Sequence, residues 1–192
     1  ERYHSVIFFF FLRRKTNIHL WPYISVVIVN DHSESHPAIE GVFMGEQESA
    51  YLFLLDSLFQ MAPLVHRDNI NAAIGDEFFT PQLILKSGLT NAKLFYDHYH
   101  LELNQEKNLG PDLFARTRNL FKSLLNAPTS EYFNDFKNKI IEEFASYANV
   151  IKIVQKYSNI EKNVAKYVID STPGTFGRVG SAPSEQNHSS IV

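Results

Sequence analysis

An unbroken apolar run near the start of the chain, residues 6–12 (VIFFFFL), is followed by three basic residues, Arg13, Arg14 and Lys15, and then by Thr16-Asn17. Aromatic and β-branched residues favour a strand, and hydrophobicity without alternation predicts one covered on both faces. Residues 23–30 (YISVVIVN) form a second such run, which stops at the polar turn signal DHSES. Residues 37–44 (PAIEGVFM) are the expected hairpin partner. Within EQESAYLFLLDSLFQMA, Leu52, Leu55, Leu58 and Phe59 recur at helical spacing behind an acidic first turn, and Pro63 ends the helix. Residues 69–75 (NINAAIG) predict a short strand that runs straight into Asp76. EFFTPQLILKSG predicts a helix closed by Gly88, and NAKLFYDHYHL a strand that runs into a polar cluster. The first half therefore reads strand, strand, strand, helix, strand, helix, strand. The first three suggest a meander, to which the later strands add in parallel.

From about residue 101 the pattern is helical throughout. PDLFARTRNLFKSLLNA opens on Pro111, suited to a first helical turn, and gathers Phe114, Phe121, Leu124 and Leu125 on one face. TSEYFNDFKNKIIEEFASYA follows, capped by Thr129 or Ser130, with Phe133, Phe136, Ile140, Phe144 and Tyr147 in phase. VIKIVQKYS and IEKNVAKYVI continue the helical texture. From Ser171 the chain turns rich in Gly, Ser and Pro, the composition of a loop or linker.

A length of 192 residues fits one domain with room for an inserted element, and 16 Phe and 9 Tyr can fill a large core. The chain begins at Glu1 rather than Met, which leaves room for flanking domains. A net charge of -3 argues against holding nucleic acid by overall electrostatics, although a local basic patch would serve. With no cysteine there is no disulfide framework, thiolate zinc site or thiol nucleophile, and a reducing compartment fits. The opening apolar run is far shorter than the roughly 20 residues of a membrane span. Its basic residues follow it, whereas a signal peptide carries them before.

The position of each carboxylate sorts the candidates. Asp76 follows a small apolar strand, and in open α/β sheets sites gather at the carboxyl ends of strands. The same residue would also serve as a helix cap. Asp97, His98 and His100 (DHYH) end the next strand. They read as polar residues of a strand-end loop, or as ligands of a transition metal if the remote His66 or His188 joined them. In the tail, Ser181 or Ser184 could cap a short helix with Glu185 in its first turn, against a plain polar tail as the alternative. Neither phosphate-binding glycine pattern is present, nor a G-x-S-x-G elbow, nor H-E-x-x-H.

In this order the pieces resemble the transposase domain of Mutator-like elements, within the RNase H-like superfamily. The resemblance runs nearly end to end. RRKTN matches the segment after the family's first acidic strand, and FMGEQESAYLFLLDSLF its acidic entry to an aromatic-rich helix. AIGDEFF matches its second acid, LTNAKLFY the segment before its signature, and DHYHL the signature itself. GSAPSEQNHSS is a looser match to the loop bearing its last acid.

The resemblance implies an α/β fold, with an RNase H-like mixed five-stranded sheet flanked by helices. An all-helical insertion would precede the last catalytic helix. Residues 1–101 would be the first part of the core, residues 102–170 the insertion, and residues 171–192 the loop and start of the final core helix.

It further implies metal-dependent DNA strand cleavage and transfer of the DDE type, in the nucleus. The partners would be transposon ends and target DNA, with homo-oligomers possible and no membrane. Asp76 would be the second catalytic acid and Glu185 the third, together holding two Mg²⁺ (or Mn²⁺) ions, with Asp97 and His100 as the signature pair beside them. Such ions activate the attacking hydroxyl and stabilise the leaving oxygen, and hard carboxylate oxygens suit them.

The first acid is absent. Counted back from Thr16-Asn17 it should stand at Phe11 or next to it, yet no carboxylate occurs between Val6 and Leu20. Asp31, the next acid, falls in the hairpin turn. The expectation is a catalytically impaired domain; the alternative is a domesticated, non-catalytic DNA- or protein-binding module on the same fold.

Overall fold

Strands β1 (Val6–Arg13), β2 (Tyr23–Val29) and β3 (Ser35–Val42) form an antiparallel meander. β4 (Ile70–Gly75) returns parallel to β1, and β5 (Lys93–Tyr96) lies parallel to β4. The order across the sheet is β3-β2-β1-β4-β5. This computed structural model is mixed α/β and describes the backbone of residues 6–13, 21, 23–29, 35–44, 47–62, 65–77 and 80–172. It describes the side chains of all these save residues 6–13, 29, 35 and 80.

The central strands need cover on both faces, and helices supply it. α1 (Glu48–Met61) and α2 (Thr80–Lys86) cover one face, where Leu54, Leu55, Leu58, Leu83 and Leu89 meet Ile24, Val26 and Ile70. On the other face Ala72, Ile74 and Phe95 pack against Ile169. Ile169 belongs to α8 (Lys166–Asp170), the last described helix.

The remaining helices build a second core beside β5. They are α3 (His98–Leu109), α4 (Pro111–Leu125), α5 (Ser130–Glu143), α6 (Ala148–Asn159) and α7 (Glu161–Val164). Phe121, Phe133, Ile140, Phe144, Val150 and Val154 are fully buried in it, and Tyr96 and Leu94 of β5 join it to the sheet. The helix boundaries follow local chemistry. Gly110, at φ 74°, ends α3 in a conformation open to glycine, and Pro111 starts α4. The Thr129 hydroxyl accepts a hydrogen bond from the Tyr132 N–H at 3.4 Å and caps α5.

One expectation is corrected and another refined. The polar cluster DHYH, expected as a strand-end loop, is instead the start of a helix: β5 stops at Tyr96, and Asp97 caps α3 by accepting from the Tyr99 N–H at 3.2 Å. His98, Leu101 and Gln105 then form the buried side of that helix. The helical texture of IEKNVAKYVI divides at Ala165, whose ψ of 126° is extended. The break lets α8 turn onto the sheet while α7 stays with the helical core. Among the described residues no helix is long and apolar enough to cross a membrane.

Candidate functional site

Parallel pairing sets the strand ends of β4 and β5 level. Gly75 pairs with Tyr96, and the ladder runs one bond further, from the Asp97 N–H to the Gly75 carbonyl at 3.0 Å. Asp76 and Asp97, the next residue on each strand, therefore stand at neighbouring carboxyl ends, about one strand spacing (~4.8 Å) apart along the backbone. On the other side of β4, Phe9 pairs with Ile74. Two residues further along that register, Phe11 comes level with Asp76. Phe11 in turn pairs with Ser25, and Ser25 with Glu40. The Ser25 hydroxyl donates to Glu40 Oε1 at 3.1 Å. One level of the sheet thus carries Glu40, Ser25, Phe11, Asp76 and Asp97 in order.

Asp76 is half-buried and has interactions of its own. It is not the cap of α2, which begins at Thr80. Glu77, next in the chain, forms an ion pair with Lys156 of α6 at 2.6 Å. The helical part is thereby tied to the turn that carries Asp76. Burial, and then the charge of Glu77, push the Tyr96 phenol pKa above its ordinary value.

Both carboxylate oxygens of Asp97 are engaged. One takes the Tyr99 N–H, and the other lies 2.8 Å from His100 Nδ1. The Tyr99 ring stands edge-on to His100 at 5.6 Å. Asp97 and His100 are thus brought together three residues apart on the first turn of α3. His98 points elsewhere: it is buried, and its Nε2 lies 2.6 Å from the Val164 carbonyl oxygen. Its Nδ1 is buried with no hydrogen-bond partner among the described residues. Burial drives the His98 pKa below its ordinary value, against the upward pull of the Val164 carbonyl and Asp97. The DHYH run is therefore not a ligand set, since its first histidine serves the core. Among the described residues no group of three His, Cys, Asp or Glu is arranged to hold a metal ion. Glu185, Ser181, Ser184, His188, Thr16, Asn17 and Asp31 lie outside the described residues.

A cleft of about 460 Å³ opens beside Asp97, between α3 and α4. Glu102 and Glu106 line the α3 side, and Phe114, Arg118 and Lys122 the α4 side. Arg118 pairs with Glu102 and lies 5.8 Å from the Phe114 ring centre. None of these five stood out in the sequence as a site residue, and Phe114 stood out only as core. Only the docking of two helices brings them together. Chemically, the arrangement offers the Asp76 carboxylate on the strand beside Phe11, Glu40 two strands away and bonded by Ser25, Asp97 committed to capping, and a mixed-charge cleft next to them.

No protein-family model matches the sequence, and no curated protein matches it significantly.

Proposed function

We propose that the chain is a transposase-derived domain of the Mutator-like kind, on an RNase H-like fold, whose DNA-cutting chemistry is impaired. The observation that carries this reading is the strand order β3-β2-β1-β4-β5, with β1 parallel to β4 and Phe9 paired with Ile74, a register that, continued two residues, brings Phe11 level with Asp76. That is the topology the resemblance implies, with first- and second-acid positions on adjoining strands. Asp97 and His100 beside Asp76 suit the signature pair. The helical core between β5 and α8 suits the expected insertion.

Two Mg²⁺ (or Mn²⁺) ions need several carboxylate oxygens between them. At this level the described carboxylates are Glu40, two strands away from Phe11 and bonded by Ser25, Asp76, which has interactions of its own, and Asp97, whose oxygens are engaged; phenylalanine has no donor atom. This donor set does not fit an ion pair, and no cleavage step is assigned to it. Glu185 remains the third acid of the proposal. The same lack of a donor at Phe11 favours a second reading, a domesticated module that binds DNA or protein in the nucleus without cutting.

Strand cleavage of plasmid DNA in Mg²⁺ or Mn²⁺ separates the possibilities. The wild-type chain is expected to be inactive, Phe11→Asp to gain cleavage, and Asp76→Asn in that background to abolish it. Robust wild-type cleavage that survives Asp76→Asn would sink the site assignment.

A further inference from the structure

We propose that residues 160–172 form a strap clasped across the free edge of β5, and that His98 is its acid-sensitive latch. Among the described strands β5 lies at an edge, bonded on one side to β4. An open edge invites unwanted pairing, and natural proteins cover it. Here the strap covers it by several different contacts. Asn163 Nδ2 donates to the Leu94 carbonyl at 2.9 Å. Val164 and Ala165 are fully buried, and Ile169 packs on Ala72, Ile74 and Phe95. Lys93 Nζ reaches Thr172 Oγ1 at 3.5 Å.

His98 holds the middle of the strap. To donate to the Val164 carbonyl at 2.6 Å its proton must sit on Nε2, which leaves Nδ1 as a bare lone pair. That nitrogen is buried and has no hydrogen-bond partner among the described residues. Protonating the ring would put a second N–H and a full charge at a buried nitrogen that no described residue hydrogen-bonds. The charged groups acting on the ring are Asp97 at the end of β5, and Lys166 and Asp170 on α8. Asp97 and Asp170 favour the cation and Lys166 opposes it, while Lys166 and Asp170 also pair with each other. His98 also lines the α3–α4 cleft, whose walls carry Glu102, Glu106, Arg118 and Lys122. Burial outweighs them and disfavours the cation while the strap is clasped.

The linkage has a definite sign. The clasped state holds His98 with a pKa below 6.5, and the opened state returns it to that ordinary value. Opening therefore takes up a proton. The clasp is complete above pH 6.5 and weakens as the pH falls towards the lowered value. Over that window the opening constant rises about tenfold per pH unit. Released, the strap would uncover the β5 edge and the sheet face beneath Ile169. This inference stands whether or not the chain descends from a transposase.

Hydrogen exchange tests it on the whole chain, with rates corrected for the intrinsic effect of pH. Strap amides in residues 161–172 are followed from about pH 7 to about pH 5, with the buried amides of Phe121 and Phe133 as the reference. The expected result is that strap opening climbs about tenfold per unit below about pH 6.5 while the reference amides stay protected. His98→Gln, which keeps an amide N–H for Val164 without a titrating ring, should be flat. Strap protection that does not change with pH in the wild type overturns the proposal, as does loss of strap and reference protection together. An unchanged pH slope in His98→Gln overturns the role of His98. The wild-type arm decides alone if that variant does not fold.

Discussion

Replacing Asp97 separates what this residue does for the fold from what it would do in a site. One oxygen caps α3 through the Tyr99 N–H at 3.2 Å, and the other meets His100 Nδ1 at 2.8 Å. Loss of an N-cap acceptor costs about 1 kcal/mol. Asp97 and His100 are each more than a quarter exposed, so solvent screens the pair and its loss adds about 0.5 kcal/mol. Asp97→Ala should therefore lower stability by about 1.5 kcal/mol, or Tm by about 3–6 °C for a chain of this size. Asp97→Asn keeps the capping oxygen and gives up the charge, so it should lose only about 1–2 °C. His100→Ala should fall with Asp97→Asn rather than with Asp97→Ala. Thermal unfolding followed by circular dichroism measures all three. An Asp97→Ala chain that melts within about 1 °C of wild type would refute the capping argument. So would an Asp97→Asn chain as unstable as Asp97→Ala.

Tyr157 is buried and receives the Gln105 amide N–H at 2.8 Å, so Tyr157→Phe leaves that buried amide without its acceptor and should cost about 1–3 kcal/mol in urea unfolding. Burial raises the Tyr157 pKa well above its ordinary 10.0. Folding then favours the neutral phenol, and stability should fall as the pH rises above about 10, where the unfolded chain ionises first. Ultraviolet titration should find Tyr157 ionising only well above pH 10. Gly110→Ala meets no atom within 4 Å of the added carbon, but φ 74° is strained for alanine, so unfolding should register a loss of about 1 kcal/mol.

The elements most legible in the sequence were those whose apolar pattern answers to burial alone. The run at residues 6–12 became β1 because a strand between two neighbours, in a sheet covered by helices, wants continuous hydrophobicity. Leu55 and Leu58 of α1, and Phe133 and Ile140 of α5, carried helical spacing for the same reason. α3 was harder to see, since two of its three buried residues, His98 and Gln105, are polar and bond to partners far along the chain. The break at Ala165 has no glycine or proline to announce it. It follows from docking on β5, through Asn163 on one side and Ile169 on the other.

Of the candidate site, the strand-end positions of Asp76 and Asp97 were legible from their place after short apolar runs. The second role of Asp97 as a cap was not, because aspartate at a strand end and aspartate at a helix start are the same residue when the two elements abut. The cleft formed by Phe114, Arg118 and Glu102 depends on the distance between helices, which no local pattern encodes.

In the proposed function Asp76, Phe11 and Glu185 belong to one broken metal site. Crystals of the Phe11→Asp chain soaked in Mn²⁺ test this directly through the anomalous scattering of the metal. The predicted result is a peak bounded by Asp76, by the carboxylate introduced at position 11, and by Glu185, with metal–oxygen distances of about 2.0–2.6 Å. No peak at Asp76, or a Glu185 carboxylate more than about 10 Å from Asp76 and so beyond any shared ion, would contradict it.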